Sequence, residues 1–142
     1  MKKSALFLAL AVVIAVVVGI AYTNKGYDKG DGIVVRALSI NDVQSDPLSF
    51  TGEIKINGIA ATFSEQDKTF FTIRDTAELM TCRDLYCGAY ELPAKYTGGK
   101  PLPVLADVID ATGSFVKTDT GFHFAVTDFE VRRNIMKLLT KK

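Results

Sequence analysis

Cysteine and histidine are scarce in this sequence. Its 142 residues include two cysteines, Cys82 and Cys87, and one histidine, His123. A structural zinc site takes four Cys or His ligands, so zinc would need carboxylates or a partner chain to complete its shell. Covalent c-type haem attachment needs Cys-x-x-Cys-His, and a thioredoxin-like motif needs two residues between its cysteines. Four residues separate Cys82 from Cys87, and Gly88 follows the second, so neither motif is present. No cysteine closely follows the apolar N-terminal run, which excludes a lipoprotein. A dominant charge is missing too, for the net charge is +1. Two of the 17 basic residues are Lys2 and Lys3, so the chain after Tyr22 holds 15 basic residues against 16 acidic ones. Nucleic-acid binding draws on a strongly basic face that releases counterions, and this balance argues against double-stranded nucleic acid as a partner. A catalytic constellation is also lacking: no Ser-His-Asp order stands out, and there is no phosphate-cradling glycine loop. Asp107 and Asp110 share one expected strand, and nothing marks them as an acid–base pair. The expectation is a protein that is not an enzyme and holds no metal.

Charge is absent altogether from residues 4–22, "SALFLALAVVIAVVVGIAY". Nineteen helical residues reach roughly across the 30 Å hydrocarbon layer of a bilayer. Lys2 and Lys3 precede the run, and no acidic residue occurs before Asp28. This pattern predicts an N-in orientation, with the rest of the chain outside the cytoplasm. Two readings remain open. The run can be an uncleaved anchor in the inner membrane. It can also be a signal peptide, with Gly19 and Ala21 as the small residues before the cleavage point. Its length favours the anchor. Residues 23–32, "TNKGYDKGDG", carry three glycines and four charges and read as a flexible linker.

From residue 33 to 133 the chain reads as strands and turns. "GIVVRALSI" opens the domain, and Asn41 can cap a single helical turn before Ser45-Asp46-Pro47. In "TGEIKINGIAATF" (51–63), Ile54 and Ile56 alternate with Glu53 and Lys55 as in a half-buried strand. Gly58 falls inside it, a position suited to a bulge or sharp coil. Further strands are expected over 69–75, 89–96, 104–118 and 121–133, and "TAELMTC" (76–82) continues toward the cysteines. The last strand alternates through Phe122, Phe124 and Val126, then changes phase to Phe129 and Val131. That slip predicts a bulge near Thr127–Asp128. His123 faces away from Phe122 and Phe124 and reads as a surface or partly satisfied histidine. The tail, 134–142, continues a stretch with five basic residues and no acid after Val131. It is expected as an amphipathic helix, with Arg133, Lys137 and Lys141 on one line and Ile135, Leu138 and Leu139 on another. Such a helix can pack on the barrel, lie on the membrane or meet a partner.

The predicted fold class is all-β: a five- to six-stranded OB-fold-like barrel preceded by an N-terminal transmembrane or signal helix, with a sandwich as runner-up. The stretch "DVQSDPLSFTGEIKINGIAATF" resembles the entry into the first barrel strand of bacterial extracytoplasmic OB-fold proteins. There, an Asp-Pro turn and an aromatic residue precede a glycine and an alternating strand. Anchor, tether and single barrel together resemble the membrane-anchored haem chaperone of cytochrome c maturation. That resemblance implies haem as a possible cofactor, bound through a histidine followed four residues later by tyrosine, or through a cysteine in a variant branch. Cys82-Arg83-Asp84-Leu85-Tyr86 has the variant's spacing. It lies mid-domain, whereas the family motif follows the last barrel strand.

Cys82 and Cys87 read best as a disulfide, because two thiols in an oxidising compartment pair readily. Closing so small a loop is worth only about 2 kcal/mol. OB barrels bind ligands on their second and third strands and the adjoining loops. The candidate binding residues there are Phe71, Arg74, Arg83, Tyr86, Tyr90, Lys95 and Tyr96, which could stack on or hydrogen-bond to a flat or extended ligand. The functional expectation is a membrane-tethered binding or adaptor module with a protein partner in the envelope. The alternatives are a haem or small-ligand carrier and, more weakly, an oligosaccharide or single-strand nucleic-acid binder.

Overall fold

The structure is a computed structural model that describes residues 36–88 and 90–139. The expected anchor or signal segment and the linker lie outside these residues. Ala37–Lys142 forms one compact unit. No helix among the described residues is long and apolar enough to cross a membrane.

The chain enters through a two-residue strand, β1 (Leu38–Ser39), which pairs parallel with β2 (Ile54–Phe63). Helix α1 (Ile40–Val43) intervenes. Its cap is Ser39 and not Asn41 as expected: Ser39 Oγ accepts the Asp42 amide while the Asp42 carboxylate accepts the Ser39 amide. This reciprocal pair satisfies two otherwise orphaned donors. Strand β3 (Phe70–Arg74) runs antiparallel to β2 and leads into helix α2 (Thr76–Cys82). Strand β4 (Leu92–Tyr96) then pairs antiparallel with β3. Strands β5 (Asp107–Thr118) and β6 (Gly121–Asn134) form a long hairpin, and helix α3 (Met136–Leu139) closes the described chain.

The ring runs β2-β3-β4-β6-β5 and closes by antiparallel pairing of β5 with β2. Strands β4 and β6 are parallel. This is a closed, five-stranded mixed barrel of the OB-fold-like kind, with β1 appended. Inward positions follow the pleat. Ile56, Phe71, Ile73, Leu92, Ala94, Ile109, Ala111 and Phe124 fill the interior and are almost wholly buried. Each large side chain removed from water in this way contributes roughly 1.5–3 kcal/mol.

The barrel bends where the sequence supplies room. Thr112 pairs with Asp128 and Gly113 with Val126, so Thr127 is the extra residue of the expected bulge. Gly113 sits opposite it. A Cβ there would overlap the Ala125 carbonyl oxygen and stand 3.0 Å from Val126 Cα. A second bulge falls at Arg132, since Val108 pairs with Arg133 and Ile109 with Val131. Gly58 is not itself a bulge. It lets β3 approach, because a Cβ there would collide with Ile73 and lie 2.8 Å from the Arg74 carbonyl oxygen.

Three expectations need correction. Residues 76–82 are helical because Asp75 caps them, accepting the amides of Ala77 (2.8 Å) and Glu78 (3.1 Å). Strand β5 starts at Asp107 and not 104, since Val104–Ala106 turns, with Ala106 at a left-handed φ of 69°. The tail is less of a helix than expected. Arg133 still belongs to β6, Ile135 is fully buried, and among the described residues one helical turn follows. The apolar side of that turn packs on a second small core made of Ile59, Leu79, Ala106, Val108 and Ile135.

Candidate functional site

The crossover between β3 and β4 gathers most of the chemistry. Helix α2 ends at Cys82, and Arg83 follows in the left-handed region (φ 59°), donating its amide to the Leu79 carbonyl. The reversal brings Cys87 back beside Cys82, and the two form a disulfide. Both cysteines line an open cleft of about 420 Å³ with Ala77, Glu78, Thr81 and Gly88.

Arg74 ties this crossover to the barrel. It alternates with the inward Phe71 and Ile73, so it faces outward, yet it is only 8% exposed because the crossover covers it. Its Nη1 donates to the Cys87 carbonyl at 3.1 Å, and its Nη2 pairs with the Glu91 carboxylate. Among the described residues its Nε has no partner. Tyr90 lies half-buried against the main core. Its hydroxyl is enclosed and unpartnered among the described residues, and burial raises its pKa above the usual 10.0.

The seven candidate residues do not form one site. Phe71 is 2% exposed and stacks on Phe63 inside the barrel, with centroids 5.9 Å apart. Tyr96 is equally enclosed, edge-on to Phe129, with its hydroxyl accepting the Lys100 amide. Core packing occupies both rings. Arg74, Tyr90, Arg83 and Tyr86 belong to the crossover, and Tyr86 is 83% exposed. Lys95 stands apart on the outer face of β4, with its ammonium 5.2 Å above the Phe70 ring and 3.6 Å from Asp67.

His123 contacts the same Phe70 ring edge-on at 5.5 Å. Burial, reinforced by the charge on Lys95, lowers its pKa from the usual 6.5. Phe70, Lys95 and His123 thus make a small outer-face patch across β3, β4 and β6. Phe70 and Glu91 were not among the sequence candidates. The signal for Phe70 was present: Ile73 fixes the inward phase at 71 and 73, which sends 70 outward.

Asp107 and Asp110, nearly buried, are structural. Asp107 accepts the Val104 amide (2.8 Å) and the Asn134 side-chain amide (2.9 Å), closing the turn before β5. Asp110 accepts from Asn57 at 2.7 Å and from Arg132 at 2.6 Å. Burial alone would raise its pKa. The bonds from Asn57 and Arg132, with the charges of Arg132 and Lys55, outweigh burial and hold it below the usual 3.8. Among the described residues no group of three or more His, Cys, Asp or Glu is placed to hold a metal ion.

Neither a family model nor a curated protein matches this chain. Among solved structures it is similar to the hypothetical protein YgiW from E. coli, at 10% identity and a TM-score of 0.46, covering 74% of this chain and 99% of that one. The barrel described here rests on its own strand order and register.

Proposed function

We propose that this chain is a membrane-tethered, extracytoplasmic binding or adaptor module that serves an envelope membrane complex through a protein partner, and that it catalyses no reaction. One observation carries the reading. The barrel is closed and its interior is filled by its own side chains. Recognition therefore falls to outer surfaces, and the Phe70–Lys95–His123 patch offers an aromatic face, a cation and a half-buried imidazole to a protein partner. The uncharged run at 4–22 supplies the tether.

A photo-crosslinkable residue in place of Lys95, in the full chain in its native membrane, tests the proposal. One discrete protein adduct from position 95, absent from the exposed position Lys117, is the expected result. No adduct from position 95 refutes the adaptor. External protease added to spheroplasts should digest the domain if it lies outside the cytoplasm. The alternative haem carrier would first have to release Cys82 from its disulfide. A Soret shift on haem titration that Cys82→Ala abolishes would favour that carrier, and no shift removes it.

A further inference from the structure

The Cys82–Cys87 bond spans only four intervening residues, so it restricts the unfolded chain little. Other contacts hold the same segment when it is folded. Asp75 caps the start of α2, and the Arg83 amide closes its end on the Leu79 carbonyl at 2.8 Å. The Tyr86 amide donates to the Asp84 carboxylate at 2.9 Å, and the Cys87 amide donates to the Asp84 carbonyl at 3.2 Å. Arg74, on β3, donates from Nη1 to the Cys87 carbonyl at 3.1 Å. These contacts keep the two cysteines side by side whether or not their sulfurs are joined.

The bond is also within reach of solvent. Cys82 is exposed and Cys87 is half-buried, and both line the open cleft beside α2. Exposed disulfides are the labile ones, because exchange requires a thiolate to reach one of the two sulfurs. Glu78 lines the cleft, and Arg83 and Asp84 follow Cys82, so cations and anions are mixed here and charge does not choose the co-substrate. The arrangement of the cysteines does. A monothiol that opened the bond would be expelled again, since the freed cysteine stays beside the mixed disulfide. A dithiol escapes that reversal by closing on itself.

We infer that Cys82–Cys87 is a thiol–disulfide exchange site whose co-substrate is a protein dithiol of the Cys-x-x-Cys class. The attacking thiolate bonds to Cys82 Sγ, the more exposed sulfur. The Cys82–Cys87 bond breaks, and its electron pair leaves on Cys87 Sγ. The second thiol of the dithiol, as thiolate, then attacks the sulfur bound to Cys82, and Cys82 leaves as thiolate. The dithiol's two protons end on Cys82 and Cys87. The dithiol is oxidised to a disulfide, and this chain is reduced by two electrons. The chain is the substrate of this exchange and catalyses nothing. The inference does not depend on the adaptor reading or on the tether.

The test incubates the oxidised full chain, in detergent and without denaturant, with an equimolar amount of reduced thioredoxin. Free thiols are alkylated at equilibrium, and the mass of the chain is read. More than half of the chain should carry two alkyl groups, and half or less overturns the inference. The same thiol concentration supplied as 2-mercaptoethanol should leave most of the chain oxidised, and equal reduction by it overturns the assignment of a dithiol. A thioredoxin with serine in place of its second motif cysteine should be trapped on Cys82. A trap on Cys87, or none, overturns the assignment of the attacked sulfur. Hydrogen exchange over β2 to β6 should not change on reduction. Loss of protection throughout the barrel would make the bond a structural staple and overturn the exchange site.

Discussion

Replacing Gly113 by alanine tests the barrel geometry most directly. Gly113 faces the Thr127 bulge, where β6 presses its backbone against β5. An added methyl would overlap the Ala125 carbonyl oxygen, with the Ala125 carbonyl carbon at 2.9 Å and Val126 Cα at 3.0 Å. The obstacle is main chain, so no rotamer change relieves it, and the two strands must move apart. Overpacking typically costs 1–3 kcal/mol, and a main-chain clash belongs at the upper end, about 3 kcal/mol. For a domain near 100 residues that is a fall in Tm of roughly 12 °C. Gly99 is the control, since nothing lies within 4 Å of a Cβ built there. Gly99→Ala should be neutral or stabilise by up to about 1 kcal/mol through the unfolded chain. Urea unfolding of both variants, followed by far-UV circular dichroism, gives the comparison. A Gly113→Ala variant within about 0.5 kcal/mol of the parent, the range of ordinary surface changes, would refute the close approach of β5 and β6.

Asp75→Ala removes the cap of α2 and the acceptor of the Asn41 amide, and should cost about 1–2 kcal/mol in denaturant titration, with the fastest exchange appearing over 76–82. Asp110 has a lowered folded pKa, so its contribution is present above its unfolded value near 3.8 and is lost as pH falls through the folded value. Asp110→Asn should therefore lose less stability than the parent between about pH 5 and pH 2, and an unchanged acid slope would argue against the Asn57–Asp110–Arg132 network. Cys82→Ser/Cys87→Ser should lower stability by about 2 kcal/mol, read as a drop in Tm that a reductant does not deepen.

The fold was legible because its determinants are local and repeated. Ile54–Ile56 and the phase change between Val126 and Phe129 are two-residue rhythms that the pleat forces on any half-buried strand. The bulge at Thr127 could be read for that reason. The bulge at Arg132 could not, because its neighbours Glu130 and Arg133 are polar and carry no phase. Helix α2 has only a short signal, Asp75 three residues before Glu78, inside a stretch that otherwise reads as strands and turns.

The site was harder for a physical reason. An aromatic or cationic residue serves the core or the surface according to one step of register. Phe71 and Phe70 are neighbours of the same type, yet one stacks inside the barrel and the other carries Lys95 and His123 outside it. Arg74 shows the limit more sharply. Its phase sends it outward, and sequence reasoning accordingly placed it at a ligand. Only the folded crossover, which brings the Cys87 carbonyl and Glu91 over β3, turns it into an internal tie. A surface is defined by what covers it, and the covering segment here lies 13 to 17 residues away along the chain. Periodicity cannot report contacts at that separation. The two cysteines matter for this reason: the residues they join belong to the segment that decides whether Arg74 faces solvent or protein.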